Sequence, residues 1–281
     1  MKSLRNTRFQ TLLDYTRFSF APMGHSEAKY AFIVGNGRSG THMLARLLGQ
    51  IPLFDDLVGG RENGYVFKLA SSILKRSELN VGDIKTLIAR LRKLNSLAEA
   101  PIFLDQTHVL HWYDTYLSQE LKPNYLMLLR DPIAVINSTM LHKGAKEWLR
   151  DDSANEYFLG RDLSCGDWRL LDDTSLAALR WVANIEKFAE IRTNKDARSI
   201  LIQYEDFSSS CEPQMQRILE FLGYSDFEYE IDFEFRNSSL EKFTISRFKQ
   251  KERILSLISS ALVKAREDEE LMELMRVYGV D

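Results

Sequence analysis

Apolar residues along the chain alternate between short continuous runs and longer stretches with helical spacing. Tyr30 to Gly35 is a short apolar run ending in glycine, the pattern of a strand buried on both faces. From Thr41 to Gln50 the apolar positions Leu44, Leu47 and Leu48, with Ile51 just beyond, recur at helical spacing. Tyr65 to Arg76 and Val81 to Glu99 read the same way, and Pro101 marks the end of the second. The pattern then switches repeatedly. IFLDQT (102–107) is strand-like, His108 to Leu121 helical, NYLMLLR (124–130) strand-like, and Pro132 opens a helix. A helix is predicted over 174–194, a strand at SILIQY (199–204) and a helix over 213–222. Strands separated by helices predict an α/β fold, a parallel central sheet with helices on both faces. Ligands of such sheets bind beyond the carboxyl ends of the strands. Gly35, His108, Arg130 and Tyr204 all fall at or just after those ends.

Length and composition narrow the picture only a little. The 281 residues, 44% hydrophobic and 27% charged, suit a single domain over 1–281 with its core at about 30–224. Residues 144–173 are less regular, with two tryptophans and many charges, and read either as a lid over about 144–175 or as a surface insertion. A C-terminal helix is expected at about 250–278, where Ile254 to Tyr278 is amphipathic and suited to pack on the body or on a second subunit. A net charge of -3 gives no global case for a nucleic acid partner. Cys165 and Cys211 lie far apart with no C-x-x-C partner, which excludes a disulfide framework or a zinc site and reads as two unpaired thiols. The histidines show no metal-ligand spacing. No apolar run approaches the roughly 18 residues of a membrane span, and no signal peptide is visible, so a cytoplasmic location is the expectation.

The stretch FIVGNGRSGTHML (32–44) carries the first chemistry. A Gly-rich turn that opens a helix aims backbone N–H groups and the helix dipole at an anion. Arg38, Ser39 and Thr41 add side-chain donors. Gly35 and Gly40 keep the Walker A spacing, but Thr41 and His42 stand where Lys and Ser/Thr should follow. Without that hydroxyl the loop lacks its magnesium ligand, and imidazole is a poor substitute for an oxygen ligand. Such a loop suits an anion that needs less neutralising than a terminal phosphoryl, and a singly charged sulfuryl group fits. The second element is LMLLRDPIAVINSTM (126–140). Arg130 ends a buried strand and can grip a phosphate bidentately, and Ser138, eight residues on, can add a donor.

Together these elements resemble the sulfotransferase superfamily. GNGRSGT is similar to its 5′-phosphosulfate loop, LLRDPIAVINS to its 3′-phosphate motif, and ILIQYEDF followed by RILEFLGY to the segment bordering the adenine. The arginine in the loop is closer to the tyrosylprotein and bacterial branches than to the cytosolic one. The resemblance implies a P-loop nucleoside triphosphate hydrolase-like fold with a helical or loop lid. It also implies 3′-phosphoadenosine 5′-phosphosulfate as co-substrate, without a metal. By that implication Gly37, Arg38, Ser39, Gly40, Thr41 and His42 hold the 5′-phosphosulfate, Arg130 and Ser138 the 3′-phosphate, and Tyr204 borders the adenine. His42 departs from the family's second threonine. The C-terminal Arg-Lys-Gly element is absent, with Arg247, Lys249 or Lys251 as stand-ins, unless these only open a solvated helix.

Transfer to a hydroxyl needs a base beside the acceptor and positive charge beside the leaving oxygen. Arg38 suits the second role. Two residues qualify as the base. Glu62, 24 residues after Arg38, matches the glutamate of Arg-type members; His108, 22 residues before Arg130, matches the base histidine of cytosolic members, with Gln106 in place of their lysine. The expected acceptor is a hydroxyl of a carbohydrate, a lipid-linked metabolite or a small alcohol. Trp112, Trp148, Tyr157 and Trp168 are available either to stack on it or to pack the fold. The competing readings are a P-loop nucleotide kinase or NTPase, and a nucleotide-binding module without catalysis.

Overall fold

The computed structural model describes Thr16 and residues 28–76, 80–159, 167–231 and 251–280. Five strands form one parallel central sheet in the order β2-β3-β1-β4-β5, flanked by helices. These are β1 (Lys29–Gly35), β2 (Phe54–Asp55), β3 (Ile102–Asp105), β4 (Asn124–Leu129) and β5 (Arg198–Gln203). β3 and β4 are buried along their whole length and β1 over its last five residues. Their unbroken apolar runs are what a sheet covered on both faces requires. Register places Phe32 opposite Asp105 on one side of β1 and Gly35 opposite Leu128 on the other. The two-residue β2 has no sequence signature of its own. It pairs with β3 through Phe54 and Asp55.

The chain divides into two compact units. The first holds β1, Gly40–Leu128 and Asn194–Leu201. Its helices are α1 (Thr41–Leu48), α2 (Gly64–Leu74), α3 (Val81–Asn95) and α4 (Asp114–Glu120). Sequence patterning predicts one helix over 108–121. Instead, Asp105 accepts the Thr107 N–H (2.7 Å), a 3₁₀ turn covers Leu110–Tyr113, and only then does α4 begin. An aspartate that binds the backbone two residues on favours a turn over a helix.

The second unit holds Asn36–Ser39, Leu129–Thr193 and the described residues from Ile202 onward. Asp131 caps α5 (Pro132–Leu141), accepting from the N–H groups of Ile133 (2.6 Å) and Ala134 (3.2 Å), with Pro132 in the first turn. The irregular stretch resolves into α6 (Lys143–Leu149), α7 (Asp152–Leu159) and a 3₁₀ turn at Trp168–Leu170; the intervening 160–166 lie outside the described residues. Arg180, 6% exposed, fastens the two short helices to α8 (Asp173–Thr193). It donates to the Asn155 side chain (2.6 Å) and to the carbonyls of Trp148 (2.9 Å) and Leu149 (3.2 Å). Burial pushes its pKa down to about 9.

Three further helices follow: α9 (Tyr204–Ser209), α10 (Cys211–Leu222) and α11 (Lys251–Ala261). The single C-terminal helix predicted over about 250–278 is two helices, α11 and α12 (Glu269–Val277), with a 3₁₀ turn at Lys264–Glu267 between them. The break has a physical cause. The Glu186 carboxylate on α8 accepts from the N–H groups of Val263 (2.8 Å), Lys264 (2.6 Å) and Ala265 (3.2 Å), which supports the turn.

Candidate active site

Each unit carries one cluster of the residues singled out in the sequence. In the second unit the cluster is cationic. Arg38 takes a left-handed backbone conformation, φ 78°, costly for a residue with a Cβ by roughly 1 kcal/mol. Arg130 holds that conformation in place, its Nη1 donating to the Arg38 carbonyl (3.0 Å), and Ser39 N–H closes the turn onto the Asn36 carbonyl (3.0 Å). Arg38 Nε donates to Ser138 Oγ (3.1 Å). A serine hydroxyl that accepts this bond keeps its own proton to donate onward. The Arg130 guanidinium stacks on the Tyr204 ring, 4.2 Å from its centroid, and the Trp181 indole donates to the Arg130 carbonyl (3.2 Å). Arg38, Arg130, Ser138 and Tyr204 thus lie in one cluster, joined by direct contacts. Trp181 was not singled out in the sequence, which predicts only the helix over 174–194 that carries it.

The electrostatics favour an anion. Among the described residues no ion pair joins Arg38 or Arg130 to a carboxylate. Burial of the guanidinium, then the Arg130 charge, push the Arg38 pKa down, although Arg38 keeps much of its surface exposed. Arg130 is 5% exposed and Ser39 is 1% exposed, yet Arg130 Nε and Ser39 Oγ find no hydrogen-bond partner in the protein. Buried donors are ordinarily satisfied, so two orphans beside two uncompensated guanidinium groups fit a ligand with anionic oxygens.

The first unit carries the acid–base cluster. Gly40, φ 103°, opens α1, and Met43 N–H bonds its carbonyl (2.9 Å). Thr41 is buried in the first turn. His42 is exposed, with its Nδ1 taken by the Gln106 amide (3.1 Å) and 3.2 Å from the Gly60 carbonyl. Nδ1 thus lies between an amide and a carbonyl, and the two contacts fix the orientation of the ring. Gln106, 1% exposed, is the partner that the sequence did not assign.

Glu62 follows a tight turn. Gly59 and Gly60 both have positive φ, 65° and 71°, and a Cβ on Gly60 would meet Arg46 Cγ at 2.0 Å. Asp56 accepts from Gly60 N–H and from Val58 N–H (3.2 Å), and Asn63 caps α2 through the Tyr65 N–H (3.0 Å). Glu62 Oε1 then meets His108 Nδ1. The two candidate bases are one pair. Burial alone would raise the Glu62 pKa, but the His108 charge and hydrogen bond, with His42 behind them, hold it below the usual carboxylate range. His108 is further oriented by Phe67, whose ring lies 5.8 Å away. His111 donates from Nδ1 to the His108 carbonyl (2.7 Å). Donation of Nδ1–H to Glu62 leaves the lone pair of His108 on Nε2.

The remaining candidates are packing residues or lie elsewhere. Tyr157 and Trp168 are buried, and Trp148 packs edge-on against Phe158. Trp112 stacks beside His111. Arg247, Lys249 and Cys165 lie outside the described residues, and Cys211 is a free thiol. Among the described residues no group of three or more His, Cys, Asp or Glu is placed to hold a metal ion, and no helix is long and apolar enough to cross a membrane.

A search of curated protein sequences found no match. Among solved structures, a sulfotransferase from Alicyclobacillus acidocaldarius is similar to the chain with a TM-score of 0.54 and 14% identity, over 90% of this chain and 97% of that one. A sulfotransferase domain from the Synechococcus PCC 7002 olefin synthase aligns with a TM-score of 0.48 and 16% identity, over 92% of this chain and 97% of that one. A sulfotransferase domain from the curacin biosynthetic pathway aligns with a TM-score of 0.47 and 14% identity, over 74% of this chain and 80% of that one. The family model described as sulfotransferase domain matches residues 29–271, a stretch that runs through both compact units. The chain belongs to the sulfotransferase family and is a transferase.

Proposed function

We propose that this sulfotransferase uses 3′-phosphoadenosine 5′-phosphosulfate as donor and a hydroxyl group as acceptor. The observation that carries the reading is the arginine pair. Arg38 and Arg130 have no carboxylate partner among the described residues, and a buried Nε–H of Arg130 points to no acceptor. Arg130 and Ser138 would hold the 3′-phosphate, Tyr204 the edge of the adenine, and Gly37, Arg38, Ser39, Gly40 and Thr41 the 5′-phosphosulfate. His42 would add a contact to the 5′-phosphate. It stands where a P-loop kinase carries its magnesium-binding hydroxyl, which favours sulfuryl over phosphoryl transfer.

The donor supplies an activated sulfuryl group. The sulfur–oxygen bond to the acceptor forms as the bond to the 5′-phosphate breaks, and 3′,5′-bisphosphoadenosine leaves. The acceptor proton goes to His108 Nε2. Glu62, ionised because its pKa is depressed, receives Nδ1–H and stabilises the imidazolium that forms. Arg38 places positive charge beside the leaving phosphate oxygen. The acceptor would be a carbohydrate, a lipid-linked metabolite or a small alcohol.

The test is transfer of radiolabelled sulfate from the donor to a panel of hydroxyl compounds. His108→Ala should lower kcat by about a hundred- to ten-thousand-fold. Glu62→Gln should lower it by about ten-fold or more, because the amide cannot stabilise the imidazolium. Both variants retaining most of kcat on the best acceptor would overturn the assignment.

A further inference from the structure

The arginine that carries the nucleotide-phosphate reading is linked to the turn that closes α12 by a ring contact and two part-buried hydrogen bonds. Two consecutive residues of α9 hold two consecutive residues after β4. The Tyr204 ring supports the Arg130 guanidinium at 4.2 Å, and Glu205 Oε1 accepts the Asp131 N–H at 3.0 Å. The other Glu205 oxygen, Oε2, accepts the hydroxyl of Tyr278 at 2.7 Å. Tyr278 is itself fixed. It is 8% exposed, and its N–H and that of Val280 both bond the Met275 carbonyl (3.0 Å each) around Gly279, φ 77°, with Val280 fully buried. This left-handed glycine cap closes α12.

Each oxygen of the Glu205 carboxylate therefore has one partner, and the pair of bonds fixes its rotamer. Without the tyrosine hydroxyl, Glu205 Oε2 would lose that hydrogen bond, and the carboxylate would be held only through Oε1. The anchor of the Asp131 peptide would loosen, and with it the setting of Arg130. Burial and the negative charges of Glu205 and Asp131 push the Tyr278 pKa far above its ordinary value, so the hydroxyl stays a donor at every working pH.

We infer that Tyr278, acting through Glu205, is a positioning residue for the site that receives the 3′-phosphate of the nucleotide, so that the last turn of the chain sets donor selectivity. The inference rests on the reading that Arg130 binds that phosphate. The experiment compares binding of 3′,5′-bisphosphoadenosine and adenosine 5′-phosphate by calorimetry in the full chain. Its variants are Tyr278→Phe, Glu205→Gln and Arg130→Ala, with thermal unfolding recorded alongside. Tyr278→Phe should weaken the bisphosphate about five- to ten-fold and leave the monophosphate unchanged, the effect of one lost hydrogen bond to a charged group. Glu205→Gln should act in the same direction, and the double variant should fall short of the sum because both act on one path.

A general loss of structure would weaken both nucleotides together, and that result overturns the inference. So does an unchanged ratio of the two affinities in both Tyr278→Phe and Glu205→Gln. If Arg130→Ala itself preserves the preference for the bisphosphate, the underlying assignment of Arg130 fails. If Arg130→Ala abolishes that preference while Tyr278→Phe keeps it, only the positioning role fails.

Discussion

Asp105 is a buried carboxyl with a measurable consequence for stability. It ends β3, is 3% exposed and lies one residue before Gln106, the partner of His42. Burial raises its pKa from 3.8 to about 6; hydrogen bonds from Thr107 offset part of that, and the charges of Asp56 and Glu62 add to it. The folded protein thus takes up the Asp105 proton below about pH 6, whereas the unfolded chain takes it up only below 3.8. Between those values folding binds a proton, so stability falls as pH rises, and above the window the whole penalty is present. At about 1.4 kcal/mol per pH unit the gap amounts to roughly 3 kcal/mol. Asp105→Asn keeps an acceptor for the Thr107 N–H and cannot ionise. Its stability relative to the wild type should therefore improve by roughly 3 kcal/mol between about pH 3 and about pH 7. Urea unfolding followed by tryptophan fluorescence at several pH values measures this difference. A difference that stays flat across the window, or moves the other way, would refute the buried-acid reasoning.

Two further substitutions probe the supports of each unit. Gly60→Ala places a Cβ at positive φ and against Arg46 Cγ, at a cost of about 1–3 kcal/mol, and should lower kcat by displacing Glu62; unchanged stability and turnover would show that the turn relaxes freely. Glu186→Ala leaves three backbone N–H groups without their acceptor and should destabilise the protein by about 2–4 kcal/mol in urea unfolding; a loss under about 0.5 kcal/mol would mean that water replaces the carboxylate.

Much of the fold was legible because its determinants are local. Continuous apolar runs announce β1, β3, β4 and β5, and Asp131-Pro132 announces α5 through its cap. The misread elements depend on distant partners. The C-terminal helix breaks where Glu186, 77 residues before Val263, captures the backbone. The stretch after α5 folds into short helices fastened by Arg180 of α8, and no local pattern shows that. The same division holds for the site. Arg38, Arg130 and Ser138 were singled out because the motifs that carry them, taken together, resemble those of the family. Glu62 and His108, 46 residues apart, read as rivals in the sequence and stand as partners in the structure. His42 and Gln106, two of the places where the chain departs from the motifs it resembles, are hydrogen-bonded to each other.

The central claim is that arginines, with no help from magnesium, hold both phosphorylated ends of the donor nucleotide. Calorimetric titration of the chain with 3′,5′-bisphosphoadenosine, in the presence of a chelator and then with added magnesium, tests it most directly. The affinity should be the same in both conditions and should fall by at least about ten-fold in Arg130→Ala. Binding that requires magnesium, or that survives Arg130→Ala undiminished, would contradict it.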